Sequence, residues 1–309
     1  MSETNAEIVI DVRDLRKVFR DFWRRPKVQA VDGLTLNVTR GEVFGLLGPN
    51  GSGKSTTIRI LLGLLFPTAG EARIFGRAPR DVQVKKRIGY LPEESYLYHY
   101  LTARETLDFY GQLFGLGRSE RRTRTGQLLD MVGLAQAADR PVGEFSKGMA
   151  RRIGIAQALI NDPELIILDE PTSGLDPIGC RQVKDLMLAF ARRGKTIVLS
   201  SHLLADVQDV CDRVAILYNG RLQACGQVRA LLEKHDRVRL TLPMIGEAEL
   251  RRIVAAIHEQ TGDEPKVDHP AMTLEEFFLK VVEAAHREAT AGGEPPRAPA
   301  IADYLKKAD

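Results

Sequence analysis

The octapeptide Gly48-Pro49-Asn50-Gly51-Ser52-Gly53-Lys54-Ser55 leaves few folds open to this chain. An apolar run, Val43–Leu47, precedes it, and a helical pattern over Thr56–Leu65 follows. This is the GxxxxGK[ST] spacing placed between a strand and a helix. Glycines let successive backbone N–H groups turn inward around one anion. The start of the following helix adds a positive partial charge at the same point. Residues Gly48, Pro49, Asn50, Gly51, Ser52, Gly53, Lys54, Ser55 and Thr56 are therefore expected to cradle the phosphates of a nucleotide. Lys54 would reach the β- and γ-phosphates. The Ser55 hydroxyl would hold Mg2+, a hard cation that prefers oxygen.

A second element agrees with the first. Leu165-Ile166-Ile167-Leu168-Asp169-Glu170 reads as a buried strand that ends in two carboxylates. Open α/β sheets gather their ligands at the carboxyl ends of strands. Asp169 is placed to hold Mg2+ there, directly or through water. Glu170, one step further on, points elsewhere and can address the attacking water.

The rest of the first 230 or so residues supports an α/β class. Glu42–Leu47, Leu165–Asp169 and Thr196–Ser200 are strand-like, each followed by a turn and a helical pattern, which predicts a mostly parallel sheet covered on both faces. Between about 77 and 151 helical stretches take over, at Ala103–Phe114 and Arg121–Met131. Thr102 and Glu105 form a capping box at the start of the first. Leu107, Tyr110, Leu113 and Phe114 then fall on one face. Val214–Tyr218, Asn219-Gly220 and Arg221–Ala224 read as a hairpin with a type I′ turn. Residues 1–234 thus form one nucleotide-binding domain. Residues 235–288 form a small α+β extension, with a strand at Arg237–Leu242 and helices at Glu247–Gln260 and Thr273–Arg287. Residues 289–309, rich in Ala, Gly, Glu and Pro at their start, read as a flexible tail.

Composition narrows the function. The chain has 44 Lys+Arg against 41 Asp+Glu, a net charge of +3 over 309 residues, which gives little support for a nucleic-acid binder. Apolar runs such as Ile60–Phe66 fall far short of the roughly 18 residues a membrane span needs. The opening MSETNAEIVI is acidic and does not read as a signal peptide. Three widely spaced cysteines, Cys180, Cys211 and Cys225, fit a reducing cytosol better than a disulfide framework.

Further motifs follow in fixed order. Ser146-Lys147-Gly148-Met149 opens a helix, Ser173-Gly174-Leu175-Asp176 follows the acidic strand, and Ser201-His202 ends the next one. The series resembles the nucleotide-binding subunit of an ATP-binding cassette (ABC) transporter over about residues 8–230. The resemblance implies a P-loop NTPase fold with a mostly parallel sheet, an antiparallel β subdomain and a helical insertion. It implies a homodimer paired head to tail, each ATP held between the phosphate loop of one copy and the Ser146, Lys147 and Gly148 segment of the other. Asp176 would lie at the seam. His202 would bond the γ-phosphate and orient the water that Glu170 polarises. Phe19 matches the aromatic that stacks on adenine, with Trp23 as a competitor.

Two segments depart from the usual family pattern: the signature, usually Leu-Ser-Gly-Gly-Gln, reads Phe145-Ser146-Lys147-Gly148-Met149, and the loop after Leu91 carries Glu93. Lys147 stands where a glycine is usual and adds a cation beside the γ-phosphate. Glu93 stands where a glutamine is usual. Another carboxylate about 6 Å from Asp169 or Glu170 would cost on the order of 3 kcal/mol at an effective dielectric of about 20. Mg2+ between them would offset that, so Glu93 is expected to be a metal or water ligand. Both departures resemble the subgroup serving ABC-2 type exporters, and the terminal Thr273-Leu274-Glu275-Glu276-Phe277-Phe278 resembles its short tail motif or, equally, an ordinary amphipathic helix closing the fold. The resemblance then implies separate membrane-spanning permease subunits and a place on the cytoplasmic face of the cell membrane. Tyr96, Tyr98 and Tyr100 are candidates for the permease groove or, alternatively, for core packing. Arg24-Arg25-Pro26-Lys27 and Arg118–Arg124 are read as solvated faces rather than lipid contacts. A soluble relative acting on nucleic acid or ribosomes is the competing class, and the chain lacks the heptad insertion or second cassette usual there.

Overall fold

The computed structural model describes residues 7–23, 25–94, 96–233, 240–268, 281 and 301–305. It separates into a first unit, Met1–Leu231 with Pro296–Asp309, and a second, Leu232–Pro295. In the first unit, β1 (Ile8–Arg20), β2 (Pro26–Thr39) and β3 (Val43–Leu47) lead through a loop to α1 (Lys54–Leu61). Then come β4 (Ala69–Ile74), the single turn α2 (Val82–Lys85), β5 (Ile88–Leu91), and the helices α3 (Ala103–Leu113), α4 (Arg118–Met131) and α5 (Lys147–Leu159). The chain returns to the sheet with β6 (Leu165–Asp169), α6 (Pro177–Ala191), β7 (Thr196–Ser201), α7 (Leu204–Val210), β8 (Arg213–Tyr218), β9 (Arg221–Gln227) and the short α8 (Val228–Leu232).

Two sheets result. The larger has the order β5-β6-β7-β3-β8-β9, and the smaller is antiparallel with the order β2-β1-β4. Strands β5, β6, β7, β3 and β8 run parallel, and β9 turns back on β8. Alternate residues of the central strands feed different cores, as a strand's period of two requires. Ile166, Leu168, Ile197 and Leu199 join the core under the helices. Leu165, Ile167, Val198 and Phe44 join the core shared with β1, β2 and α1. Burial on both faces is why these strands read as unbroken apolar runs.

Local signals are obeyed where they are strong. Thr102 Oγ1 accepts the Glu105 N–H, and the Glu105 carboxylate accepts the Thr102 N–H at 2.9 Å, so the capping box is real. Asn219 and Gly220 take φ of 49° and 77°, the pair a type I′ turn demands. Leu107 is fully buried, but Leu113 and Phe114, at the end of α3, are exposed. They keep the helical spacing but lie at the uncovered end of that face.

The helical insertion is shorter than the expected 77–151, because Ile88–Leu91 is a strand at the sheet edge, parallel to β6. Its glycine hid it. A Cβ on Gly89 would lie 2.0 Å from the carbonyl oxygen of Ala158, so close approach of α5 demands glycine inside a four-residue strand. The terminal residues also correct the expectation of a loose tail over 289–309. Ala302 and Leu305 are buried in the first unit's core, the Tyr304 hydroxyl donates to Leu159 O at 3.0 Å, and Arg193 donates to Ala302 O and Leu305 O. In the second unit, α9 (Glu247–Thr261) matches the expected helix, and residues 240–242 are not a strand. Residues 237–239 and the helix expected at 273–287 lie outside the described residues, apart from Val281.

The edge of the sheet opposite the phosphate loop is tied by charge. Glu164, just before β6, accepts from Arg87 before β5 at 2.7 Å and from Arg40 before β3 at 3.0 Å. Arg87 pulls the Glu164 carboxyl down most, burial opposes it, and Arg40 adds to the lowering, leaving it at about 2. A carboxyl lowered on folding adds stability that is complete above its unfolded value of about 4.3 and fades as pH falls toward the folded value. Glu164→Gln should therefore lower the melting temperature at pH 7, with the gap to the parent narrowing steadily between pH 4.5 and pH 2. A gap that stays constant across that window would exclude this account.

Candidate active site

Strands β6, β7 and β3 are neighbours and parallel, so their carboxyl ends lie side by side. The register sets Asp169 beside Ser200, and Ser200 beside Leu46. The phosphate loop leaves β3 at Gly48, Glu170 leaves β6, and His202 leaves β7. Strand β7 therefore stands between the loop and the acidic strand, which are not immediate neighbours.

The loop residues form a closed turn capped by Gly53 at the start of α1. Lys54 is buried, and its ammonium donates to Gly48 O at 2.6 Å and Pro49 O at 3.3 Å. Gly48 has φ 149°, and a Cβ there would lie 2.2 Å from Leu217 O and 2.6 Å from Ser52 Oγ. Ser52 Oγ is buried without a hydrogen-bond partner among the described residues. A tight loop of donors, with a buried hydroxyl left over, fits a polyphosphate. Ser55 and Thr56 follow Lys54 in the first turn of α1, where the helix dipole favours an anion.

The carboxylates are arranged around this loop. Glu170 is buried, with Oε2 2.8 Å from His202 Nδ1 and Oε1 3.8 Å from Lys54 Nζ. Its φ of 49° is unusual for a side chain with a Cβ and costs about 1–2 kcal/mol. The turn is held on its amide side by Ser200, whose O and Oγ both accept the Glu170 N–H. Asp169 Oδ1 accepts the Ser200 hydroxyl at 2.5 Å. Burial pushes the Asp169 carboxyl up, the Ser200 bond pulls it back, and the Glu170 charge pushes it up again. Ser55 and Asp169 offer one hydroxyl and one carboxylate, a sparse set that suits Mg2+, which keeps several waters. No group of three or more His, Cys, Asp or Glu ligands gathers among the described residues.

The remaining candidates fall in other places. Glu93 is exposed on the loop after β5, its carbonyl accepts from Arg151 at 2.9 Å, and its charge is felt by Arg151 and Tyr90. Ser146 caps α5 by accepting the Met149 N–H at 3.2 Å, which leaves Gly148 in the first helical turn. Lys147 folds back onto its own chain, its Nζ 2.0 Å from the point where a Cβ on Gly174 would stand. Asp176 Oδ1 accepts the Gly179 N–H at 2.7 Å and caps α6. Phe19 pairs with Val28 across β1 and β2, two residues from Ala30, whose carbonyl would lie 2.5 Å from a Cβ on Gly53. Phe19 thus sits at the phosphate-loop end of the small sheet and is 39% exposed, while Trp23 lies further out at 73% and packs on Phe22. Tyr96 and Tyr100 are 80% and 75% exposed, which rules out the core-packing alternative for them. Tyr98 meets Phe109 edge-on at 5.7 Å.

Two residues of this constellation carry no sequence signal. Ser200 reads as one more strand residue, yet it bonds both Asp169 and Glu170. Arg151 reads as an ordinary helix residue, yet it is buried against the backbone of both. Strand register brings Ser200 to the site, and the packing of α5 against the strand ends brings Arg151.

Known proteins agree with the fold. The family model described as ABC transporter matches residues 31–173. An uncharacterized ABC transporter ATP-binding protein from Synechocystis is 44% identical over 82% of this chain and 72% of its own length. Nod factor export ATP-binding protein I from Rhizobium is 40% identical over 74% of each. An ATP-binding cassette solved as a dimer with ADP and Pi superposes with a TM-score of 0.65 at 27% identity, covering 71% of this chain and 99% of that one. With a phosphate loop, an acidic strand end and a histidine gathered on one edge of such a sheet, the chain belongs to the ATP-binding proteins of the ABC transporters.

Proposed function

We propose that this chain hydrolyses ATP as half of a head-to-tail homodimer and so drives separate permease subunits of an exporter at the cytoplasmic face of the cell membrane. The clasp on Glu170 carries the reading. One carboxylate oxygen meets Lys54 of the phosphate loop, and the other meets His202 at the end of the neighbouring strand. A water beside the γ-phosphate would lose its proton to Glu170 as it attacks. His202, by holding Oε2, fixes the direction of that carboxylate and keeps its second ring nitrogen for the γ-phosphate. Ser55 and Asp169 would hold Mg2+, with Glu93 as a further ligand, and the cation would neutralise phosphate charge. Phe19 would stack on adenine, a contact worth roughly 1–3 kcal/mol for comparable base–aromatic pairs.

Ser146, Lys147 and Gly148 of a second copy, with its Asp176 at the seam, would complete the site. ATP would then favour the closed pair because it touches both copies only there. A ligand shifts an equilibrium only by such differential contact. Loss of the γ-phosphate removes the bridge and reopens the pair. Export is supported by relatives named for it and by Lys147 and Glu93, which depart from the common pattern as in ABC-2 exporters. Exposed Tyr96, Tyr98 and Tyr100 support permease docking next to the Glu93 loop. Among the described residues no helix is long and apolar enough to cross a membrane. The competing class, a soluble cassette acting on nucleic acid, finds no support among the relatives.

Two experiments test this reading. Glu170→Gln should bind ATP, hydrolyse it roughly 10²-fold or more slowly, and accumulate as a dimer under saturating Mg-ATP. A variant that stays monomeric by light scattering would refute the sandwich. Glu93→Gln should move the Mg2+ concentration that half-activates hydrolysis. An unchanged Mg2+ curve would remove Glu93 from the metal site.

A further inference from the structure

Arg151 is the arginine that folding buries among the described residues, at 5% exposure. It lies on α5, five positions after the capping Ser146, yet its partners come from two distant segments. Nε donates to Pro171 O at 3.0 Å, and Nη2 donates to Asp169 O and Glu170 O at 2.6 Å each. Nη1 donates to Glu93 O at 2.9 Å and also to Pro92 O. The guanidinium has five N–H groups in one plane, and five main-chain carbonyls take them. Burial pulls this guanidinium down to about 10, with Asp169, Glu93 and Glu170 opposing, so it stays a cation at neutral pH.

We propose that Arg151 is a positioning residue for hydrolysis, joining the Glu170 turn and the Glu93 loop to the helix that begins at Ser146 so that the three shift as one piece. The inference rests on Glu170 as the base and Ser146 as the segment that meets the second copy's nucleotide. Two observations carry it. First, Glu170 has a left-handed backbone, which persists only where the surroundings over-determine it. Ser200 fixes its amide side, and Arg151 fixes the carbonyls of Asp169, Glu170 and Pro171. Second, the helix between Ser146 and Arg151 is continuous, so a displacement at its capped end reaches the carbonyls directly. Lysine has three donors on one atom, and glutamine has two. Neither can span carbonyls on both segments.

The full chain tests this with Arg151→Lys and Arg151→Gln, measuring Kd for a fluorescent ATP analogue, kcat by phosphate release, and the melting temperature. The expected result is Kd within about threefold of the parent and kcat lower by about 10²-fold, the size of loss a misplacement near 1 Å produces. The lysine variant should lose less than the glutamine variant. A kcat within about threefold of the parent in both would overturn the proposal, as would Kd and kcat worsening in parallel. Loss of folded protein in both would also overturn it and assign Arg151 to stability alone. Glu170→Gln, assayed beside them, separates the two levels. If its kcat stays within about threefold of the parent, the reading of Glu170 fails. If it is inactive while both Arg151 variants stay active, the positioning role alone fails.

Discussion

Parallel pairing of β3, β7 and β6 is the constraint on which the site depends. Parallel strands deliver whatever follows them to the same edge of a sheet, and neighbours in register deliver it to the same depth. Leu47, Ser201 and Asp169 end such strands here. The residues that follow are a glycine-rich loop, a histidine and a glutamate. None of the three is unusual by itself. Held on adjacent strand ends, they converge on one ammonium, one imidazole and one carboxylate. The register is in turn maintained by burial on both faces, and at the opposite edge by Glu164 between Arg40 and Arg87.

The parts of this arrangement legible in the sequence are those whose signals are local. The phosphate loop is contiguous, its strand and helix flank it, and Leu165–Asp169 announces a strand buried on both sides. The Asn219-Gly220 hairpin and the Thr102 cap are equally local. What escaped reading depends on distant chain. Strand β5 is four residues long and contains a glycine that only the passage of α5 explains. Leu113 and Phe114 keep helical spacing, yet nothing covers them enough to bury them. The Ala302 and Leu305 anchor is too short to show a period, and its neighbours' composition argues for a tail.

Buried polar residues mark the same limit at the site. Arg151 and Ser200 act on groups that lie 18 to 59 positions away in sequence, so no pattern in their own neighbourhood betrays them. Buried polar groups must find partners, and the residues that satisfy the strained Glu170 turn are chosen by geometry rather than by motif. The physical logic of a site can thus be recovered from sequence further than its supports can.

Charge explains why such a site would act as half of something. Near the strand ends, the cations Lys54 and Arg151 face the carboxylates Asp169 and Glu170, and the two pairs nearly cancel. A triphosphate carries several negative charges into this balance. The start of α1 contributes about half a unit of positive charge and the loop contributes N–H donors. On the proposed reading, the remaining compensation would come with Mg2+ and from another copy's Ser146 helix start and Lys147. In this chain Lys147 lies against Gly174 of its own turn, so offering its ammonium to a neighbour's nucleotide means leaving that contact. On the proposed sandwich, ATP would bind most tightly where Mg2+ and the second copy both supply positive charge, and that would couple occupancy to closure of the pair. On the same proposal, loss of the γ-phosphate would reduce the charge that favours closure, so the pair would reopen on electrostatics that each chain already carries.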